Sequence, residues 1–265
     1  MIHATLPAMP HTQPILSALP KIAATRPSHW HHASLGSWSL NNSTYHLPVL
    51  HWRDPSRPAD FKLGLFAGIH GDEPAGVLAL LDFARSLTTH PEWAAGYELL
   101  LYPLLNPTGF EDGTRHSRSG RDLNREFWRS TREIEVQLLE RAILRENFHG
   151  LIALHSDDTS TGFYGFARGA TLTRHLLRPA LDSAAQALPV NSSTLIDGFT
   201  ATQGIIHSAY EGILAAPPES EPSPFEIILE SPSHAPMHLQ RQGFVLSLRE
   251  ILTRYRQMMA YGGEL

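Results

Sequence analysis

The sequence predicts an α/β fold: a single three-layer α/β/α domain around a mixed, mostly parallel central sheet. Three observations carry that prediction. Near-continuous apolar runs at residues 62–67, 97–105, 151–154 and 225–229 have the character of strands covered on both faces. Amphipathic stretches with helical spacing separate and follow these runs, so strands and helices alternate along the chain. A chain of 265 residues, 42% hydrophobic and 18% charged, is also long enough to bury one sizeable core.

Composition narrows the function classes. A net charge of −5 with no basic tract gives no reason to expect nucleic acid as a partner. No segment approaches the ~18 consecutive apolar residues of a membrane span. The chain has no cysteine, so disulfides and thiolate ligands are excluded and any metal must rely on histidine and carboxylates. The first residues lack a basic stretch followed by an apolar core, and with the absent cysteines this points to a cytoplasmic location. No internal repeat is present, and oligomeric state is not legible in these features.

Taken in order, residues 1–34 read as an N-terminal extension and residues 35–265 as the main domain. The extension carries Pro7, Pro10, Pro14, Pro20 and Pro27. A short helix over 13–24 fits its pattern, but a loosely ordered end is the expectation. Ser28-His29-Trp30-His31-His32 reads as a capped loop rather than a metal tract, since no carboxylate accompanies it. Residues 35–41 and 44–52 suggest a hairpin turning at Asn42-Ser43. After a proline-containing turn, 62–67 is the first buried strand. A glycine-rich turn follows, then a helix over 74–87, then the strand 97–105, which stops at Asn106-Pro107-Thr108-Gly109.

A polar loop, 110–129, holds Arg115, Arg118, Arg121, Arg125 and Arg129. Ile134, Leu138, Leu139, Ala142 and Ile143 fall on one face, which predicts a helix over 131–146. The strand 151–154 runs into His155. Residues 162–168 read as a strand or loop over the site, and 172–188 as a helix despite Pro179. Glycines break any period across 192–216. An acidic, proline-rich loop at 217–224 precedes the strand 225–229, and 240–259 forms a closing helix.

Polar groups cluster where the apolar runs end. The first run leads to His70 and Glu73, the second to Asn106 and the arginine loop, the third to His155 and the last to Glu230. In open α/β sheets, ligands bind outside the carboxyl ends of the strands. His-x-x-Glu supplies an imidazole and a carboxylate, both zinc ligands, but a chain this rich in both residues contains about one such pair by chance. If the strands are parallel neighbours, the groups converge, and His70, Glu73 and His155 offer the three ligands of a catalytic zinc site.

At this point the sequence resembles a known family, the zinc carboxypeptidases related to carboxypeptidase A. It is most similar to their compact bacterial branch, which includes murein-peptide carboxypeptidases. The resemblance rests on Gly68-Ile69-His70-Gly71-Asp72-Glu73, Asn106-Pro107-Thr108-Gly109, and Thr114-Arg115 followed by Gly120-Arg121-Asp122-Leu123-Asn124-Arg125-Glu126-Phe127. It continues through Leu154-His155-Ser156 and Leu229-Glu230-Ser231-Pro232. It implies a zinc-dependent peptidase using metal-activated water to release the C-terminal residue of small peptides, possible cell-wall peptides among them. It implies zinc on His70, Glu73 and His155, with room for a second metal ion. Glu230 is then the general base, and Arg115 the cation facing the oxyanion. Asn124 and Arg125 hold the substrate's free carboxylate, for which arginine's planar fork is suited.

Ile206 and Tyr210 are the expected substrate-pocket residues, with Ile206 favouring an apolar or neutral terminal side chain. The family's mobile tyrosine aligns with Phe199, which lacks the hydroxyl; Tyr164 or Tyr210 is left to supply one. One of Asp72, Asp157 and Asp158 is expected to orient a ligating histidine. Arg118, Arg121 and Arg129 are expected to form surface ion pairs. The alternative is a deacylase of the succinylglutamate desuccinylase/aspartoacylase type, which shares His-Gly-x-Glu and Asp-Leu-Asn-Arg and cleaves N-acyl amino acids. A non-catalytic binding module is disfavoured by Glu230, since a binder needs no general base.

Overall fold

A computed structural model describes residues 12–208 and 211–261. Its elements are α1 (Thr12–Thr25), β1 (Trp30–Leu40), β2 (Ser43–Trp52), β3 (Phe61–Ala67), α2 (Pro74–Thr89) and β4 (Tyr97–Tyr102). Next come α3 (Pro107–Asp112), α4 (Ile134–Glu146), β5 (Gly150–Asp157), β6 (Tyr164–Ala167), α5 (Ala170–Leu172) and α6 (Arg178–Ala184). The chain finishes with β7 (Leu195–Ile196), β8 (Phe199–Thr202), β9 (Ile205–Ile206), β10 (Phe225–Pro232) and α7 (Met237–Tyr261).

The strands form one mixed sheet in the order β1-β2-β4-β3-β5-β10-β6-β9-β8-β7. Its centre, β4-β3-β5-β10, is wholly parallel. Antiparallel pairs flank that centre, β1-β2-β4 on one side and β10-β6 with β9-β8-β7 on the other. Parallel character is therefore concentrated where strands are covered on both faces, as the unbroken apolar runs require.

Alternation along the strands separates two cores. Leu63, Leu65 and Ala67 of β3 pack with α1, α2, α6 and α7 on one face. Phe66 of the same strand packs on the other face with Val136, Leu139 and Ile143 of α4. The three-layer α/β/α arrangement follows from this period-two switch.

Three expectations are corrected and one is refined. Residues 13–24 are helical rather than loose: Ile15, Leu19 and Ile22 of α1 are buried in the larger core, which rewards order that the prolines alone would not. β1 begins at Trp30, inside the stretch read as a loop and before position 35, because Trp30 packs edge-on against Trp52. The helix expected over 172–188 is present as one uninterrupted run, α5 continuing through a π-helical turn (Thr173–Leu177) into α6, with Pro179 in the first turn of α6. The polar loop after Gly109 contains α3 and a tight 3₁₀ turn, Leu123–Arg125, held by the side chains of Asn106 and Asp122.

Candidate metal centre

The centre is assembled at the carboxyl ends of the parallel strands. β3 stops at Ala67, and the chain turns through Gly68 at φ 68°, a left-handed conformation that glycine adopts without strain. Gly71 then lies against the backbone of the next loop, where an added Cβ would sit 2.0 Å from the carbonyl carbon of Gly109. Asn106 secures that loop by accepting the Gly109 N–H at 2.9 Å and donating to the Arg115 carbonyl at 3.3 Å. The Asn106–Gly109 motif is thus a buttress, absent from the described lining of the site cavity.

Strand register supplies the remaining groups. The β5–β10 pairing sets His155 beside Glu230, and the β10–β6 pairing sets Glu230 beside Tyr164. Paired residues share a sheet face, so the three side chains form a row next to the loop bearing His70 and Glu73.

His70, Glu73 and His155 are all buried, with metal-ligating atoms within 4.8 Å of one another. His70 Nδ1 lies 2.6 Å from Glu73 Oε1, His155 Nδ1 lies 3.0 Å from Glu73 Oε2, and the two Nδ1 atoms are 3.3 Å apart. Two nitrogens each about 2.0–2.1 Å from one tetrahedral ion are separated by roughly 3.3 Å, so the imidazole pair fits zinc. The carboxylate also accepts the Ser156 N–H at 3.1 Å. Burial alone would push the Glu73 carboxyl up, but the charges and hydrogen bonds of His70 and His155 hold it at about 2. A persistent anion between two imidazoles is the donor set a divalent cation requires.

Asp122 is the hub around this trio. Its Oδ1 accepts the Asn124 N–H at 2.9 Å and lies 3.3 Å from His70 Nε2. Its Oδ2 accepts the Arg115 Nε–H at 3.0 Å. Burial opposes ionisation of Asp122, yet the His70 hydrogen bond and positive His70, Arg115 and Arg125 hold its carboxyl well below the usual range. Among the described residues no hydrogen bond joins Asp72, Asp157 or Asp158 to either histidine. Asp122 takes the orienting position instead, reached across 52 residues of chain. Asp157 is occupied elsewhere, accepting the Tyr164 hydroxyl at 2.9 Å.

Glu230 stands in the opposite electrostatic state. Burial first, then the negative charges of Glu73, Asp157 and Asp197, push its carboxyl well above the ordinary range, and Arg115 only partly offsets them. Such a carboxylate is a strong proton acceptor once ionised. Both conditions arise within one cavity of about 380 Å³. Arg115, Asn124 and Arg125 line one part of it, while Phe166, Phe199, Ile206, Ile213 and Ile228 line another.

The structure brings together His70, Glu73, His155, Glu230, Arg115, Asn124, Arg125 and Ile206 around that cavity. Tyr210 lies outside the described residues. Asn124 Oδ1 already accepts the Leu214 N–H at 2.8 Å, so its amide Nδ2 is the group it can offer a ligand. Phe199 lines the cavity as aligned, and Tyr164 brings a hydroxyl to it, tied to Asp157. Arg118 and Arg121 form ion pairs with Asp112 and Glu126, and Arg129 with Glu211, as expected of surface arginines. Sequence reasoning gave no role to Asp122, though it stands inside the Asp-Leu-Asn-Arg motif. Phe166 falls in the 162–168 segment read as lying over the site, whereas nothing local to Asp197 or Ile213 marks them as cavity residues.

Residues 60–202 match the family model of the succinylglutamate desuccinylase/aspartoacylase catalytic domain. No curated protein matches the sequence. Among solved structures, a candidate metallopeptidase from Shewanella amazonensis superimposes with a TM-score of 0.78 at 21% identity, covering 91% of this chain and 92% of its own. A metallo-carboxypeptidase from Burkholderia cenocepacia matches with a TM-score of 0.68 at 15% identity, covering 91% of this chain and 68% of its own. Bovine thrombin-activatable fibrinolysis inhibitor gives a TM-score of 0.68 at 15% identity over 93% and 97% of the two chains. At these identities the likeness is one of fold.

Proposed function

The chain belongs to the succinylglutamate desuccinylase/aspartoacylase catalytic-domain family, and from that premise we propose a zinc-dependent hydrolase that cleaves the C-terminal amide bond of small peptides. Family and fold indicate a hydrolase of metallocarboxypeptidase-like or deacylase type. The observation that carries the finer reading is the placement of Glu230 in register with His155, beside the buried His70–Glu73–His155 trio.

His70, Glu73 and His155 would hold the zinc, with Asp122 fixing the orientation of His70 through Nε2. Bound there, zinc supplies a Lewis acid that polarises the amide carbonyl and acidifies water. Glu230 accepts the proton of the attacking water on its carboxylate and returns it to the leaving nitrogen. Arg115 presents a cation to the negative charge that develops on the carbonyl oxygen, an effect worth roughly 3–4 kcal/mol where such groups have been removed. Its guanidinium is held ready by Asp122, with Nη2 3.0 Å from Oδ2. Arg125 and the Asn124 amide hold the free carboxylate of the substrate.

The family match favours a second reading, deacylation of N-acyl amino acids. The apolar wall of the cavity supports the peptidase side. Aspartate or glutamate as the released amino acid would set a second carboxylate against Phe166, Ile206, Ile213 and Ile228. A panel of dipeptides with apolar C-terminal residues, run against N-acetylaspartate and N-succinylglutamate with the zinc-loaded protein, separates the two. Faster turnover of the acyl amino acids would overturn the peptidase assignment. Full activity after exhaustive chelation would overturn the metal.

A further inference from the structure

The strand pairing that lines up His155, Glu230 and Tyr164 also sets a second row beneath it. One pleat down, Ala153, Ile228 and Phe166 stand side by side on the same face. Ile228 and Phe166 line the site cavity, and so does Ile213, which belongs to segment 212–216.

That segment is tied down along its length. The Phe127 N–H donates to the Gly212 carbonyl at 3.1 Å, and the Leu214 N–H to Asn124 Oδ1 at 2.8 Å. Trp128 Nε1 donates to the Ala215 carbonyl at 3.1 Å, and the Ala216 N–H to Glu226 Oε1 at 2.8 Å. Behind Ile213 and Phe166 lies a small void of about 10 Å³, also bordered by the short side chain of Ala153. Beyond it opens a second cavity of about 770 Å³, whose described lining includes Phe166 and Ile213 again, with Trp128 and Tyr255. The same two side chains therefore face the candidate site on one side and the second cavity on the other.

We propose that Phe166 and Ile213 form a partition that sets the longest unbranched apolar group the substrate can carry. This rests on the site assignment above: the apolar group lies along the Ala153–Ile228–Phe166 row while the reacting amide faces Glu230. A charged side chain finds no partner on that row, whereas each buried methylene strengthens binding roughly fourfold. Side chains short of the partition gain that increment, and longer ones meet Phe166 and Ile213.

The test is calorimetric titration of the zinc-loaded protein with unbranched carboxylic acids from butanoate to dodecanoate. Affinity should climb roughly fourfold per methylene up to one chain length and then level off. Ile213→Ala and Phe166→Ala should move that break to longer chains, and Ile213→Trp to shorter ones. The opposed Ile213 variants keep the test decisive if Phe166→Ala fails to fold. A break at the same chain length in all the folded proteins, or no break at all, overturns the partition. Dipeptides whose C-terminal residue lengthens from alanine through norleucine to 2-aminodecanoate should show the same limit in kcat/KM. If the acids show a movable break while no amide is cleaved, the partition stands and the peptidase reading falls. If amides are cleaved with one limit in every variant, the partition alone falls.

Discussion

The parallel centre of the sheet and its mixed flank from β6 to β9 contribute to the same cavity by different means. In the centre, each strand ends in a polar group, and hydrogen-bonded register brings the groups together. His155 and Glu230 are cross-strand neighbours, and β3 delivers His70 and Glu73 over them. In the flank, strands of two to four residues and a tethered segment contribute single apolar side chains such as Ile206 and Ile213. The comparison teaches a division of labour: the long parallel strands carry the buried histidines and carboxylates, and the short pieces supply apolar wall.

That division can be broken by experiment, most severely at the centre. Glu230→Gln should lower kcat by about 10²–10⁴-fold while leaving bound zinc unchanged by elemental analysis. A fully active variant would remove Glu230 from the chemistry. Asp122→Asn should weaken zinc by about 10–100-fold in a competition titration, because His70 loses its orienting acceptor. Unaltered affinity would reduce Asp122 to a partner of Arg115 alone.

The flank should respond more mildly. Tyr164→Phe removes the hydroxyl that donates to Asp157 and should change kcat/KM by less than about tenfold, consistent with a net loss near 1 kcal/mol for one hydrogen bond. A loss of a thousandfold would place Tyr164 among the reacting groups and blur the distinction between the two regions.

The smallest expected effect on activity lies away from the site, at Glu135 in the first turn of α4, where the change is in stability. Burial, with Glu133 adding its charge, pushes this carboxyl up to about 7 from an ordinary 4.5, and a backbone hydrogen bond only partly opposes the shift. The folded protein thus keeps a proton that the unfolded chain releases. Its contribution to stability is full below pH 4.5 and is lost as pH rises to about 7. Glu135→Gln should therefore match the natural chain in urea melts near pH 4 and exceed it by about 3 kcal/mol near pH 8. Equal stability at both pH values would show that Glu135 is ionised in the fold.

Much of the centre was legible because its signals are local. A buried strand ending in Gly-x-His-Gly-x-Glu, or in Leu-His-Ser, announces both the element and the group at its end. The motifs occur in series, so a chance reading of any one becomes untenable. Asp122 was passed over because its partner, His70, is a long-range neighbour. The order of helix α1 escapes the local pattern for a related reason. Proline signals act locally, whereas burial of Ile15 and Leu19 against the core is a tertiary gain.

By itself, the sequence determined the fold class, the order of the main strands and helices, and the identity of the residues that gather at the strand ends. Apolar periodicity and compact motifs encode those features within a few neighbouring residues. Only the tertiary structure decided that Asp122 turns toward His70, that Tyr164 stands beside Glu230, and that Phe166 and Ile213 share a wall. Those contacts depend on strand register and on a segment tethered from four directions. A shift of one residue would send every side chain of a strand to the other face, and no local pattern around Phe166 or Ile213 records which face they take.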